Sequence, residues 1–302
     1  MIQPDFLKPG DTIGIVAPAR KVAAEELADG IKILEGWGFK VQLGINLYKY
    51  QDQFSGSDIE RAADLQAMLD DASVKAIISA RGGYGTVRII DHLDFSKFKQ
   101  HPKWIVGYSD ITVLHSHLHS MLQTQSIHST MLINMQADKL NKDAIESLGK
   151  ALTGVPLKYS VSPGSNKTLN RSGKAKGPLC GGNLSLLYAL SGSVSDIDTA
   201  GKILFIEDLD EYLYHIDRMM MQLKRSGKLQ TLAGLIVGGM SDMRENTVPF
   251  GKTAEEIIKE NVQEYNYPVC FDFPAGHVKK NVALIMGANV ELSVGENIEL
   301  KF

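Results

Sequence analysis

Hydrophobic and polar positions follow two alternating rhythms along the first half of the chain. Thr12–Ala17 is a continuous apolar run ending at Pro18, which predicts a buried strand. From Ala23 to Trp37 the residues Leu27, Ile31 and Leu34 recur at helical spacing until Gly38 stops them. Lys40–Leu43 predicts a second short strand. Asp58–Leu69 predicts a helix capped by Ser57 or Asp58, with Ile59, Ala62, Leu65 and Leu69 on one face. Ala76–Ser79 predicts a third strand, running into Arg81-Gly-Gly-Tyr-Gly85 and then a helix through Val87 and Ile90. Trp104–Val106 predicts a fourth strand, and Ile111–Gln123 a helix. Ser126–His128 and Lys142–Leu152 extend the series by a strand and a helix. Strands alternating with helices predict an α/β domain with a parallel sheet covered on both faces.

The rhythm breaks at Gly154–Gly177, which is rich in Gly, Pro, Ser, Asn and Lys and reads as a linker, with room for an irregular strand. The chain therefore divides into residues 1–154, a linker over 155–177, and residues 178–302. After the linker, Leu184–Leu190, Tyr214–Lys224 and Thr253–Val262 predict helices, and Lys202–Ile206, Ala233–Val237 and Pro268–Phe271 predict strands. Val282–Met286, Asn289–Ser293 and Ile298–Phe302 alternate as antiparallel strands do, which makes the second domain a mixed-sheet α/β unit.

Composition narrows the picture. With 302 residues, 44% of them hydrophobic, there is material for two cored domains, and a net charge of -3 gives no footprint for nucleic acid or an anionic membrane. No apolar run approaches the ~20 residues of a membrane span, and the N-terminus lacks the basic and apolar regions of a signal peptide. A cytoplasmic protein is the expectation. Cys180 and Cys270 sit far apart in apolar settings and read as free buried thiols.

Four stretches carry candidate chemistry. Ser109 follows an apolar strand at Gly107-Tyr108 and precedes a helix, the placement of a nucleophile at a strand-to-helix turn; a plain helix cap is the alternative. Arg81-Gly-Gly-Tyr-Gly85 follows a strand and offers either a structural turn or a nest of N–H groups for an anion. Glu207 opens the run Glu-Asp-Leu-Asp-Glu directly behind a strand, where open α/β sheets build sites; a solvated loop or a hard-cation site are the alternatives. His277 ends Phe-Pro-Ala-Gly-His and is a candidate base. His115 and His119 have the i, i+4 spacing of zinc ligands, but with His117 they read better as a partly exposed helix face. Serine, acid and histidine, in that chain order, make a hydrolytic triad: the base takes the hydroxyl proton and the carboxylate fixes the base's tautomer.

The stretches Gly14–Ala19, Arg61–Gln66, Arg81–Gly85, Gly107–Thr112, Gly181–Leu186, Glu207–Glu211, Ile216–Met219 and Ala275–His277, in this order, resemble the LD-carboxypeptidases, a family that includes microcin C immunity peptidases. The resemblance implies a flavodoxin-like first domain, a second α/β domain and a serine peptidase site in the cleft between them. It implies Ser109 as nucleophile, Glu207 as acid and His277 as base. The oxyanion hole would use the backbone N–H groups of Asp110 and Gly83. It also implies release of a terminal D-amino acid, most often D-Ala from murein tetrapeptide, by a cytoplasmic homodimer without metal or cofactor. A carboxypeptidase must recognise a free carboxylate, and Arg81 beside the Gly loop is the candidate for that; a salt bridge to the acids of 207–211 is the alternative. One departure is visible: Val278 stands where the commoner family form has Gly after the histidine.

Overall fold

The computed structural model describes residues 1–302 and resolves the apolar runs into two sheets. In the first, β1 (Thr12–Val16), β2 (Lys40–Leu43), β3 (Val74–Ser79), β4 (Trp104–Gly107) and β5 (Ser126–His128) are parallel. They stand in the order 2-1-3-4-5 of a flavodoxin-like doubly wound sheet. Helices α1 (Ala24–Gly36), α2 (Asp58–Asp70), α3 (Ser96–Gln100), α4 (Thr112–His117) and α5 (Lys142–Thr153) cover it. Leu27 and Leu34 of α1 and Leu148 and Leu152 of α5 pack with Ile13, Ile15, Ile78 and Trp104 on one face. Leu65 and Leu69 of α2, Phe98 of α3 and Val113 of α4 pack with Val74, Ile77 and Ile105 on the other. Each such fully buried side chain contributes about 1.5–3 kcal/mol.

Ser57 caps α2 by accepting from the Glu60 N–H. Ile59, however, is 81% exposed. Steps of three residues drift around a helix of 3.6 per turn, so Ile59 lies roughly 120° from the Leu65 face.

The second sheet runs from β6 (Lys158–Val161) and β7 (Gly173–Asn183) through β8 (Ile203–Leu209), β9 (Gly234–Ser241) and β10 (Val269–Cys270). Strands β7 to β10 are parallel, and α6 (Leu184–Ala189), α7 (Leu213–Arg225) and α8 (Ala254–Asn261) pack on one face through Leu184, Ile216, Met220 and Ile257. The other face is covered by Val290, Leu292, Ile298 and Leu300 from β12 (Asn289–Val294) and β13 (Ile298–Lys301). β12 and β13 pair antiparallel with β7, each other and β6. Residues 155–177 thus contain β6 and the start of β7, hydrogen-bonded into the second sheet.

Three elements depart from expectation. β11 (Leu284–Met286), the first of the antiparallel strands at the end, joins the first sheet instead, pairing Leu284 with His128 and Met286 with Ser126 on the edge of β5. The helix after the Gly loop is two 3₁₀ turns, Thr86–Arg88 and Ile90–His92, and the Thr86 N–H that opens the first of them donates to the Asp110 side chain. The helix after Ser109 is wound in three ways: a 3₁₀ turn over Ser109–Ile111, then α4, then a π turn over Leu118–Leu122 that ends with Gln123 at φ 49°.

Candidate active site

Ser109 stands at the C-terminal end of β4 with φ 62°, a left-handed conformation costly for a residue with a Cβ. The turn it opens has no side-chain cap, so Ser109 is not a helix cap. Its neighbour Asp110 is fully buried, and the Asp110 carboxylate accepts the Thr86 N–H at 2.8 Å, which ties the serine turn to the Gly loop. A Cβ placed on Gly82 would lie 3.3 Å from Ser109 Oγ, so the loop runs directly beside the hydroxyl. Neither the Asp110 N–H nor the Gly83 N–H is used in a backbone hydrogen bond.

The acidic run, expected behind the strand, begins inside the end of β8 and splits in two. Glu207 and Asp208 are buried, while Asp210 pairs with Arg244 and Glu211 with His215 at the surface. A solvated loop therefore describes only its second half. Glu207 Oε2 accepts the His277 Nδ1–H at 2.6 Å and the His277 backbone N–H at 3.1 Å. Gly276 makes this approach possible: it has φ +96°, and a Cβ there would lie 2.6 Å from Glu207 Oε2. Asn281 Oδ1 accepts the Gly276 N–H at 2.8 Å and holds the loop shut. With Nδ1 committed to a carboxylate, Nε2 is the His277 nitrogen left to take a proton.

Burial alone would push the His277 imidazole below its usual range. The Glu207 charge and hydrogen bond, with Asp208 nearby, outweigh burial and hold it above that range. Asp208 is pushed up to about 7, by burial first and the Glu207 charge second. Its oxygens accept from Asn183 Nδ2, the Ser185 N–H and the Leu209 N–H, all at 2.9 Å. Tyr108 packs edge-on against the His277 ring at 4.9 Å, and burial, then Glu207, push its phenol up to about 12, so it stays neutral.

Ser109 and His277 line one cavity of about 500 Å³, together with Gly82, Gly83, Arg20 and Arg81. Arg81 has no carboxylate partner; its one hydrogen bond is long, 3.4 Å to the Lys21 carbonyl. The salt bridge to residues 207–211 does not form. The two halves of the chain meet at this cavity: the Asn183 N–H at the end of β7 donates to Thr112 Oγ1 at 3.0 Å.

Of the histidines in the helix after Ser109 only His117 is partly exposed, and the face with zinc-ligand spacing is buried. His115 and His119 are 1% and 4% exposed, and burial first of all lowers their imidazoles to about 4 and about 3. His115 Nε2–H donates to the Gly107 carbonyl at 2.9 Å, and Nδ1 accepts from the Ser126 hydroxyl at 2.8 Å. His115 thus braces the ends of β4 and β5 beneath the serine. No group of three or more His, Cys, Asp or Glu residues is placed to hold a metal ion. No helix is long and apolar enough to cross a membrane.

Sequence reasoning passed over Arg20, Asn183 and Asn281. Asn183 stood in the Gly181–Leu186 stretch, where two glycines before a short helix signal close approach, and Asn281 closed the histidine loop Gly276–Asn281 with no role assigned; Arg20 carried no such signal. Val278 does not take a left-handed conformation. Its side chain fills the space beside Gly239, where a Cβ would lie 2.5 Å from Val278 Cγ1.

Two family models match: an LD-carboxypeptidase N-terminal domain over residues 13–129 and an LD-carboxypeptidase C-terminal domain over residues 176–292. The chain is 37% identical to a probable murein peptide carboxypeptidase of Bacillus subtilis, over 97% of this chain and 92% of the relative. It is 26% identical to a microcin self-immunity protein of Escherichia coli, over 94% and 90%. The crystal structure of a muramoyltetrapeptide carboxypeptidase from Oxalobacter formigenes superposes with a TM-score of 0.86 at 28% identity, over 96% of this chain and 98% of that one. The family matches and a 37% relative spanning nearly the whole chain agree with a serine and a carboxylate-bonded histidine that line one cavity: the chain belongs to the LD-carboxypeptidase family of serine carboxypeptidases.

Proposed function

We propose that this enzyme hydrolyses the peptide bond to a C-terminal D-amino acid, releasing D-Ala from murein tetrapeptide during cell-wall recycling. Ser109 Oγ attacks the scissile carbonyl as His277 Nε2 takes its proton. The oxyanion accepts from the Asp110 and Gly83 N–H groups. His277 then passes the proton to the leaving amine, giving an acyl-enzyme and a free D-residue. Water, activated by the same histidine, attacks the ester carbonyl and returns the proton to Ser109. Residues 1–154 supply the nucleophile, and residues 178–302 the acid and the base. Arg81 holds the substrate's terminal carboxylate.

The observation that carries this reading is the fully buried Glu207 bonded at 2.6 Å to Nδ1 of His277, which lines the same cavity as Ser109. The substrate class rests on the names of the relatives above. The cytoplasmic homodimer rests on the resemblance, and light scattering of the purified enzyme tests the dimer. Mass spectrometry of products from a panel of muropeptides and acyl-sulfamoyl nucleotides tests the substrate. Loss of D-Ala from an L,D-tetrapeptide by wild type but not by Ser109→Ala is the expected result. Turnover of the nucleotides alone assigns a microcin-type peptidase, and full activity of Ser109→Ala refutes the serine mechanism.

A further inference from the structure

The charges around the cavity are unequally satisfied. Asp210 is neutralised by Arg244, and Asp208 is buried among three donors. Lys139 also lacks a carboxylate partner; it bonds to the neutral Gln136 Oε1 and sits where this cavity meets a second one of about 440 Å³, as a single cation shared by the two. The end at the Gly loop is different. Two guanidinium groups, Arg20 and Arg81, line it, and neither has a carboxylate partner.

Arg20 is exposed, but its position is built. Its backbone is held in a bridge to Phe54 just past β1. Its side chain lies across Gly83, which has φ +117°; a Cβ there would come within 2.5 Å of Arg20 Cδ and 2.9 Å of Nε. A side chain at position 83 would push the guanidinium off the loop. The charge is thus carried over the same loop whose N–H is proposed to receive the oxyanion.

Two unpaired cations at one end of a concave site call for an anion. A carboxylate offers about four lone-pair positions, and one planar guanidinium fork takes two of them. We infer that Arg20 joins Arg81 in a two-guanidinium clamp on the free carboxylate of the leaving residue. This rests on the carboxypeptidase reaction proposed above, and it fixes the substrate's direction. The leaving residue lies at the Gly-loop end. The acyl half runs past Tyr108 and His277 into the second cavity, which shares those two residues with the first.

The test compares kcat/KM for a tetrapeptide acid and its C-terminal amide. Arg20→Met should lower the value for the acid roughly 10- to 100-fold, the range of a lost hydrogen-bonded charge contact. The amide, which presents no anion, should change by about threefold at most, as for an ordinary surface substitution. Arg20→Lys keeps the charge without the fork and should fall between wild type and Arg20→Met on the acid. Arg20→Glu should reverse the preference, hurting the acid more than Arg20→Met does. In the Arg20→Met/Arg81→Met double variant the loss on the acid should differ from the product of the single losses, because both groups hold one carboxylate. Equal losses on acid and amide, or a wild-type response of Arg20→Met on both, overturn the clamp while D-Ala release by wild type leaves the reaction standing. A wild-type enzyme inert on every tetrapeptide sinks the reaction, and the clamp with it.

Discussion

Replacing Glu207 with Gln keeps the shape of the acid and removes its charge. In the native enzyme Oε2 accepts two N–H groups of His277, and the side chain is fully buried. A Gln oxygen in the same place still accepts both bonds, so the tautomer survives. What is lost is attraction between the carboxylate and the imidazolium that the proposed mechanism forms as Ser109 attacks. With the charge centres about 4 Å apart and an effective dielectric of ~20, that attraction is ~4 kcal/mol. Part of it is already present before attack, so kcat should fall roughly 100- to 1,000-fold with KM little changed.

The pH profile gives a second readout with a definite sign. His277 works as a base only when neutral, and Glu207 holds its imidazole above the ordinary range, so the acid limb of wild-type kcat/KM should lie above the usual ~6.5. In Glu207→Gln burial prevails, the imidazole falls below that value, and the limb moves to lower pH while the plateau drops. Stopped assays of D-Ala release between about pH 4 and 9 measure both effects. A plateau within tenfold of wild type, or a limb that stays put, would refute the role of Glu207.

Other outcomes follow from the same geometry. Arg81→Met should cost a tetrapeptide acid roughly 10- to 100-fold in kcat/KM and spare its amide, whereas a melting temperature that drops with equal losses on both assigns Arg81 to structure. Gly276→Ala must adopt φ +96° and place a Cβ 2.6 Å from Glu207, so it should destabilise the fold by about 2–4 kcal/mol and abolish turnover, seen in urea melts and activity together. Asp208 has its folded pKa raised to about 7, so its contribution to stability is fully present at low pH and is lost as pH rises through that value. Asp208→Asn should flatten this part of the pH–stability curve, and a curve unchanged in slope would show that Asp208 ionises without strain.

The parallel core was legible because its inner strands β1, β3 and β4 are mostly apolar runs that end in a Pro, Gly or polar turn, with the edge strand β2 mixed. Glu207 was legible as the first acid after an apolar run, and His277 as the end of a Pro-Ala-Gly loop. The winding after Ser109 was not, because a 3₁₀ turn, an α turn and a π turn share nearly the same apolar spacing. His115 and His119 looked amphipathic by residue type, yet imidazoles kept neutral and hydrogen-bonded tolerate full burial. The exchange of β11 between sheets was invisible, since alternation identifies a strand and not its partner.

That exchange has a mechanical consequence. The base's loop runs into β11, β11 is laddered to β5, and β5 to the strand that ends at the serine. Base and nucleophile are therefore spaced by rungs of one backbone ladder, and no swivel between lobes is free to part them. Heating or denaturant should extinguish activity and fold in one transition, and polypeptides severed on either side of position 160 should fail to stand alone, each missing the strand the other provides.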